Sequence, residues 1–374
     1  MINRARLIHL AQKLIQIDSQ NPPGDEHKIG LFVINYLKKL GISSRAVEFK
    51  KSRTNVIAAI GSRNKKSLLI TPHLDTVPAG RSWTMPALAA KIKQGRIYGL
   101  GATDCKSNLA CAMEVIRSLQ EDKVKLPYIL IFAATADEET GSDLGLIPLL
   151  NKNILKPDAA VVLDADDFDI IVSQKGLMHM TIKITGKRAH GAYPWRGINA
   201  IDIAIEAIKE IKNIKFSRTR HKYLRPPTIN IGTIKGGDKV NIVADWCEFE
   251  LDFRFLPGSE ARDIIKKVKK ILARHTTKYK IEIQGIQKPY NIEETHSLVS
   301  CFKKAARKIR VKAKVKGSEG ATVITFFQHK NIPAIATGFG CAGNAHTADE
   351  YVKIENLYKG ALVLEEFLKN YTFN

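Results

Sequence analysis

The fold of this 374-residue chain is decided by a short apolar run that ends in a turn, SLLITPHLD at residues 67–75. Similar runs occupy residues 55–60, 128–134 and 159–163. Short, continuous apolar runs separated by segments with helical apolar spacing are typical of strands buried on both faces of a parallel sheet. The sequence therefore predicts an α/β fold, with a mixed, mostly parallel sheet and helices on both of its faces.

The pattern of elements changes near residue 176 and changes back near residue 288. Between these points the predicted elements follow the order β-α-β-β-α-β, which is the order of a ferredoxin-like unit. After residue 288 helices and strands alternate again. We therefore expect a larger domain in two parts, residues 1–175 and 289–374, with a ferredoxin-like α+β domain inserted at residues 176–288.

Charge and cysteine content limit the possible partners and location. The chain has 59 Lys and Arg residues against 37 Asp and Glu, a formal net charge of +22, which is typical of nucleic-acid-binding proteins. The basic residues concentrate on predicted outer helix faces without interleaved aromatic residues, so we do not expect a nucleic-acid partner. The sequence has no long apolar run for a membrane span, and five scattered cysteines favour the reducing cytoplasm.

Side chains that can bind metals follow the apolar runs. They are His73, Glu138, Glu139, Asp164 and, after a glycine-rich turn, His346. Because the carboxyl ends of parallel strands line one crevice, we expect these side chains to converge. Mixed histidine and carboxylate sets without thiolate suit zinc, cobalt or manganese in a catalytic site.

A pair of ions in one site requires a carboxylate that bridges them. Asp104 lies in a flexible loop before a predicted helix at 107–119, with Ser107 as its cap, and can serve as that bridge. We expect the remaining four ligands to divide into two pairs, His73 with Asp164 and Glu139 with His346. Asp166 is an alternative to Asp164.

Two further carboxylates have predicted roles beside the ions. Glu138 is free to take a proton from the bridging water, because the metals already lower the pKa of that water. Asp75 lies two residues after His73, from where it can orient the imidazole.

Five motifs together resemble one known family: SQNPPGDE at 19–26, PHLDTVP at 72–78, YGLGATDCK at 98–106, DEETGS at 137–142 and AHTADE at 345–350. The chain resembles, over essentially its whole length, the M20 metallopeptidases of the acetylornithine deacetylase, succinyl-diaminopimelate desuccinylase and carboxypeptidase G2 group. The resemblance implies a zinc-exopeptidase-like catalytic domain and the ligand and base roles given above. It also implies two Zn2+ ions per subunit, replaceable by Co2+ or Mn2+, and a cis peptide bond after Asp104.

The inserted domain carries further parts of the resemblance. Residues 186–200 resemble the family's lid and dimerisation segment, which implies a homodimer through residues 176–288. In such a dimer His190 would reach the partner's site and stabilise the oxyanion. Asn241 and Arg254 match substrate-binding strands, and Arg254 would grip a substrate carboxylate.

The substrate loop departs from the family pattern. GSEGAT at residues 317–322 stands where many desuccinylases have a Gly-Thr-Ser-Asp-like loop. We expect Gly320 to contact substrate there, although the departure leaves the acyl group open.

The sequence thus predicts a dinuclear zinc amidohydrolase that cleaves small anionic N-acyl amino acids, of the acetylornithine deacetylase or succinyl-diaminopimelate desuccinylase type. A carboxypeptidase, dipeptidase or aminoacylase of the same family remains an alternative, with a peptide as substrate. A non-catalytic polyanion-binding protein on the M20 scaffold is a more remote one.

Overall fold

The structure is a computed structural model that describes residues 1–61, 65–320 and 322–373. It divides into two compact units. The first unit comprises Met1–Val172, Ile292–Lys316 and Phe326–Asn374, and the second comprises Ser173–Asn291 and Gly317–Thr325. Residues 317–325 therefore group with the second unit, whereas the predicted boundaries placed them in the larger domain. Ala321, in the predicted substrate loop, lies outside the described residues.

The helices and strands are numbered in chain order over the described residues. Helices α1 to α9 span Arg4–Ile15, His27–Lys39, Lys106–Glu121, Leu146–Asn151, Ala200–Lys212, Ala261–His275, Ser297–Lys308, Ile324–Gln328 and Ile354–Asn370. Strands β1 to β9 span Ser44–Glu48, Thr54–Ile60, Ser67–Thr71, Lys91–Lys93, Arg96–Tyr98, Ile129–Ala134, Ala159–Leu163, Ile170–Gln174 and Gly176–Thr185. Strands β10 to β18 span Ala189–His190, Thr228–Gly236, Ile242–Val243, Trp246–Phe255, Tyr279–Gln287, Tyr290–Asn291, Val315–Ser318, Ala334–Thr337 and Tyr351–Lys353.

A mixed sheet with a parallel centre forms the middle of the first unit, which confirms the predicted fold class. Its strand order includes β1-β2-β6-β3-β7-β17-β8. Strands β6, β3, β7 and β17 run parallel to one another, and β1, β2 and β8 pair in antiparallel fashion. Every residue of β3 and β7 is buried. Because successive side chains of a strand point to opposite faces, both faces of the sheet must be covered.

Helix α3 lies at the centre of the helical layer of the first unit and contacts α1 and α9. Most of its side chains are buried, as expected for a helix that is enclosed on all sides. The predicted cap at Ser107 is wrong. The helix begins at Lys106, earlier than the sequence pattern indicates. Cys105 therefore occupies the N-cap position, and Ser107 is buried within the first turn.

The second unit contains an antiparallel sheet with the order β11-β13-β9-β14. With α5 and α6 these strands have the predicted ferredoxin-like order. The alternate residues Met178, Met180, Ile182 and Ile184 of β9 are buried in one core with residues of both helices. Among the described residues, no helix combines the length and apolar character that crossing a membrane requires.

Candidate metal centre

The candidate site lies at the carboxyl ends of parallel strands in the first unit. His73 comes two residues after β3, and Asp164 comes directly after β7. Glu138 begins a short 3₁₀ turn that follows β6. A parallel bridge between His73 and Thr135 extends the pairing of β3 with β6 beyond the strands themselves. The sheet thus brings side chains from separate parts of the sequence to one edge, as the strand-end argument predicts.

Two groups of potential ligands with only oxygen and nitrogen donors form at this edge, and a third group, His73, Asp104 and Cys105, includes a thiol. His73, Glu138 and Asp164 make the first group, and Asp104, Glu139 and His346 make the second. Within each group, one ligand atom per residue lies within 4.8 Å of the others.

The carboxylate of Asp104 faces both groups. Its Oδ1 lies 2.9 Å from Nε2 of His73, and its Oδ2 lies 3.2 Å from Nε2 of His346. Its two oxygens therefore point to two different histidines, which is the arrangement that a carboxylate bridging two ions requires.

The carboxylate of Glu139 shows that the residues of the site are suited to a metal ion. Oε2 of Glu139 lies 3.2 Å from Nε2 of His346. Its Oε1 is buried and has no hydrogen-bond partner among the described residues. A buried carboxylate oxygen without a partner is costly in the absence of a cation. The unpaired oxygen and the oxygen and nitrogen donors around it fit a divalent ion of the zinc, cobalt or manganese type.

The positive charge that the protein itself places near the buried carboxyl groups of the site does not fully offset the cost of ionising them. Burial, together with repulsion from Asp164, raises the pKa of Glu138 well above its usual value. Burial likewise raises the pKa values of Glu139 and Asp164. Burial opposes ionisation of Asp104 as well, but hydrogen bonds from His346 and His73 lower its pKa overall.

The two histidines respond to the same carboxylates in the opposite direction. Hydrogen bonds to Asp104 and Glu139 raise the pKa of His346 to about 10. Burial opposes protonation of His73, yet the neighbouring Cys105 and carboxylates raise its pKa well above the usual value. In the metal-free protein, protons on the imidazoles therefore supply the positive charge that metal ions would otherwise bring.

Comparison with known proteins identifies the family. The sequence profile of "Peptidase family M20/M25/M40" matches residues 69–370. The chain belongs to this family. The resemblance noted in the sequence is thereby confirmed, and the protein is an M20 family hydrolase.

Two acetylornithine deacetylases are similar to this M20 chain along most of their length. The enzyme from Pasteurella multocida is 31% identical over 339 residues, which cover 86% of this chain and 85% of the relative. The enzyme from Proteus mirabilis is 28% identical over 369 residues, which cover 95% and 92%.

Solved structures of M20 peptidases share the fold. Aminopeptidase PepT from Bacillus cereus superposes with a TM-score of 0.81 at 24% identity, covering 98% of both chains. A Bacillus subtilis protein described as a dinuclear metal-binding peptidase of the M20 family has a TM-score of 0.75 at 18% identity, covering 98% of this chain and 97% of its own. At these identities the likeness establishes the fold alone.

Asp75 of this M20 chain contacts the His73 imidazole and also the turn that carries Glu138. Nδ1 of His73 lies 3.0 Å from the backbone oxygen of Asp75 and 3.6 Å from its carboxylate. The carboxylate also accepts hydrogen bonds from the backbone N–H groups of Glu138 and Glu139, each at 3.1 Å, and from the Asn21 side-chain amide at 2.9 Å. Asp75 therefore holds the turn that carries the predicted base, and its backbone orients the imidazole.

The structure separates the two candidates for the remaining carboxylate ligand. Oδ1 of Asp164 lies 3.8 Å from Nε2 of His73. None of the ligand groups formed by the described residues includes Asp166. Burial and the nearby carboxylates of Asp104 and Asp164 raise the pKa of Asp166 to about 7. The geometry thus favours Asp164.

The residue predicted to stabilise the oxyanion and those predicted to bind substrate lie in the second unit. His190 is exposed on β10, and its Nδ1 accepts the N–H of Ala192 at 3.0 Å. Asn241 and Gly320 are also exposed.

The guanidinium of Arg254 already has a carboxylate partner in its own chain. Its Nε and Nη2 donate to the two carboxylate oxygens of Asp252 at 2.7 and 3.0 Å. The substrate roles of Arg254, Asn241 and Gly320 stay predictions.

A buried ionic network behind the site was missed by the sequence reasoning. Arg53 donates twice to Glu26, at 2.7 and 2.8 Å, and once to Asp137, at 2.7 Å. Asp137 immediately precedes Glu138 and has a left-handed backbone, with φ of 66°. Gly24 leaves room for the guanidinium, since a Cβ there would lie 2.4 Å from Cζ of Arg53. Residues 19–26 were quoted for the resemblance, yet nothing local in the sequence connects them to Arg53.

A second missed residue is Glu350, which is buried beside the loop that carries Asp104. Burial raises the pKa of Glu350 to about 7 despite three backbone N–H donors. The peptide bond between Asp104 and Cys105 is cis, as the resemblance implies.

Proposed function

We propose that this protein is a dinuclear metal-dependent deacylase that hydrolyses the amide bond of small anionic N-acyl amino acids. The observation that carries the proposal is the placement of Asp104 between two histidines, with Glu138 in the first ligand group. The similarity to two acetylornithine deacetylases supports an acylated amino acid as substrate. We propose zinc as the native metal, with cobalt or manganese as substitutes.

Each residue of the site has a role in this proposal. His73 and Asp164 would hold one ion, Glu139 and His346 the other, and Asp104 would contact both. When bound, the two ions would polarise the amide carbonyl and lower the pKa of a water molecule between them.

Glu138 is suited to move the proton. Its carboxylate lies in the first ligand group, and burial with repulsion from Asp164 raises its pKa, so the ionised carboxylate is a stronger proton acceptor than an ordinary one. It would take a proton from the attacking water and deliver it to the leaving amine. Asp75 keeps Glu138 in place by accepting its backbone N–H.

The second unit supplies the remaining parts of the proposal. We propose a homodimer through residues 176–288, in which His190 of one subunit stabilises the oxyanion formed in the other. The exposure of the His190 side chain is compatible with such a role. A substrate carboxylate would have to compete with Asp252 for Arg254, because the two side chains already form a bidentate pair.

A substrate panel tests the proposed activity. Metal-free protein is reloaded with zinc, cobalt or manganese and assayed with N-acetyl and N-succinyl amino acids, dipeptides and C-terminally free peptides. We expect turnover of an N-acyl amino acid. Preferential cleavage of peptides would instead favour the carboxypeptidase or dipeptidase alternative.

A substitution of the base tests the mechanism. Glu138→Gln should lower kcat by roughly a hundred- to ten-thousand-fold, the usual contribution of a positioned acid-base group. Glu355→Gln is the matched control, because Glu355 is an exposed carboxylate at the start of α9. If Glu138→Gln keeps wild-type turnover, the proposed mechanism is wrong.

The polyanion-binding alternative makes a different prediction. It requires a mobility shift of nucleic acid that persists in moderate salt and in the presence of a competitor polyanion. The full set of ligand residues favours the enzyme, and the cytoplasmic location stays a prediction.

A further inference from the structure

Glu350 lies four residues after the metal-site histidine His346 and directly before β18. Only 1% of its surface is exposed. Its Oε1 accepts the backbone N–H groups of Thr103 at 2.7 Å and Asp104 at 2.9 Å, and its Oε2 accepts that of Gly101 at 2.8 Å. One buried carboxylate thus binds three N–H groups of the loop that presents Asp104.

These N–H groups converge because the loop is tightly turned. Gly101 has φ of 82°, and a Cβ at this position would lie 2.8 Å from the Thr76 side chain. Successive N–H groups on such a turn form a concave site for an anion. The chain fills this site with its own carboxylate, so the buried donors of the loop are satisfied without solvent.

Other hydrogen bonds join the same two segments. The N–H of Gly99 donates to the backbone oxygen of Glu350 at 2.8 Å. The hydroxyl of Thr103 donates to the backbone oxygen of Tyr351 at 2.8 Å and accepts the N–H of Cys341 at 3.1 Å. Hydrogen bonds of Gly99 and Thr103 therefore connect the segment that carries His346 to the loop that carries Asp104, in addition to those of Glu350.

We propose that Glu350 is a positioning residue that sets the separation of Asp104 from His346 and thereby the metal affinity of the second ligand group. The inference rests on the metal site in the proposed function. Glu350 belongs to none of the ligand groups that the described residues form, because both of its carboxylate oxygens bind backbone N–H groups, and it acts through the backbone of Asp104.

The chemistry of the contact requires a carboxylate of this length. Glutamine offers one oxygen and one NH2 group, so at least one N–H of the loop would face a donor instead of an acceptor. Aspartate keeps the charge but withdraws it by one methylene, which separates it from donors that now lie at 2.7–2.9 Å. Both substitutions should move the loop without removing a ligand.

The test is a metal titration of Glu350→Gln and Glu350→Asp, starting from metal-free protein and using Zn2+ in competition with a chromophoric chelator. We expect one of the two bound equivalents, that of the second ligand group, to lose roughly ten- to a hundred-fold in affinity, the range found when partners of metal ligands are changed. The absorption spectrum of the Co2+-loaded protein should change as well, because the ligand geometry changes.

Asp349→Asn is the matched control. Asp349 is the neighbour of Glu350, and its carboxylate binds the N–H and hydroxyl of Thr84, at 3.0 and 2.9 Å, outside the Asp104 loop. Its left-handed backbone, with φ of 56°, is one that asparagine tolerates. Metal affinity and the Co2+ spectrum of Asp349→Asn should equal those of the wild type. The control thus distinguishes the loss of the Glu350 contact from a general loosening of the segment.

The proposal is overturned if Glu350→Gln binds both equivalents with wild-type affinity, or if Asp349→Asn weakens binding to the same degree. If the Glu350 variants do not fold, Thr103→Val replaces them, since it removes the other side-chain connection between the segments. Several-fold weaker binding then supports the proposal, and wild-type affinity contradicts it. Wild-type protein that binds no metal would refute the proposed function instead, so the two failures are distinguishable.

Discussion

Replacement of Arg53 by methionine would leave two carboxylates buried without their cation. Arg53 makes three short hydrogen bonds, two to Glu26 and one to Asp137. The side chains of Glu26, Asp137 and Arg53 are exposed by only 0, 5 and 7%. Removing one partner of a buried ion pair costs about 3–5 kcal/mol, because the remaining charge keeps its desolvation penalty. We expect Arg53→Met to lower the free energy of unfolding by that amount.

The pH dependence of this loss follows from the pKa of Glu26. Burial already raises this pKa in the wild type, although Arg53 lowers it in part. Without Arg53 the folded-state pKa rises further above the unfolded value. A group with a raised pKa stabilises the fold below the unfolded pKa, and this contribution is lost as the pH rises through the folded pKa. The difference between Arg53→Met and wild type should therefore be larger at pH 8 than at pH 5.

Urea unfolding followed by tryptophan fluorescence measures the effect. Trp83 lies in the first unit, and Trp195 and Trp246 lie in the second. In a background that carries Trp195→Phe and Trp246→Phe, fluorescence reports on the first unit alone. The slope of the free energy against urea concentration must stay equal between variants for the comparison to hold.

A second substitution provides the control for Arg53→Met. Glu26→Gln in the Arg53→Met background removes one of the stranded charges, and it should recover part of the lost stability. A loss below about 1 kcal/mol, the value for an exposed ion pair, would refute the reasoning. So would a loss that is independent of pH, or no recovery in the double variant.

Two further predictions concern the metal site. Asp164→Asn should lower the bound zinc by about one equivalent per chain, measured by atomic absorption after dialysis, and Asp166→Asn should leave it unchanged; the reverse result would make Asp166 the ligand. Zinc binding at pH 7.5 should release protons, because the pKa of His346 in the metal-free protein is about 10 and a metal requires the neutral imidazole. Calorimetry in buffers of different ionisation enthalpy counts these protons, and His346→Gln should release about one fewer; equal counts would contradict the raised pKa.

The buried strands could be predicted from the sequence because they lie in a parallel sheet. Strands β3 and β7 have the predicted bounds, since burial on both faces demands apolar side chains without interruption. Strand β1 was missed, because Ser44–Glu48 is short and partly exposed, so its sequence carries no apolar run.

The convergence of the candidate ligands was predictable for a related reason, and the residues that support them were not. His73 and Asp164 lie within two residues of the ends of apolar strands, so topology alone brings them together. Glu350 acts on backbone N–H groups that are more than 240 positions away along the chain. Backbone donors leave no mark on the sequence, and a buried arginine such as Arg53 resembles an ordinary surface charge until its partners are known.

The second unit is built from two separate stretches of sequence, which limits how the protein can be recombined with its relatives. Gln174 accepts the N–H and hydroxyl of Thr322 at 2.9 and 2.7 Å, and the buried Lys175 donates to Glu319 at 2.6 Å. A chimera that exchanged residues 173–291 alone would keep residues 317–325 of this chain and place them against side chains from the relative. It would replace Gln174 and Lys175, and so leave Thr322 and Glu319 without these partners. Two stretches of sequence, separated by 25 residues of the other unit at Ile292–Lys316, must therefore be transplanted together.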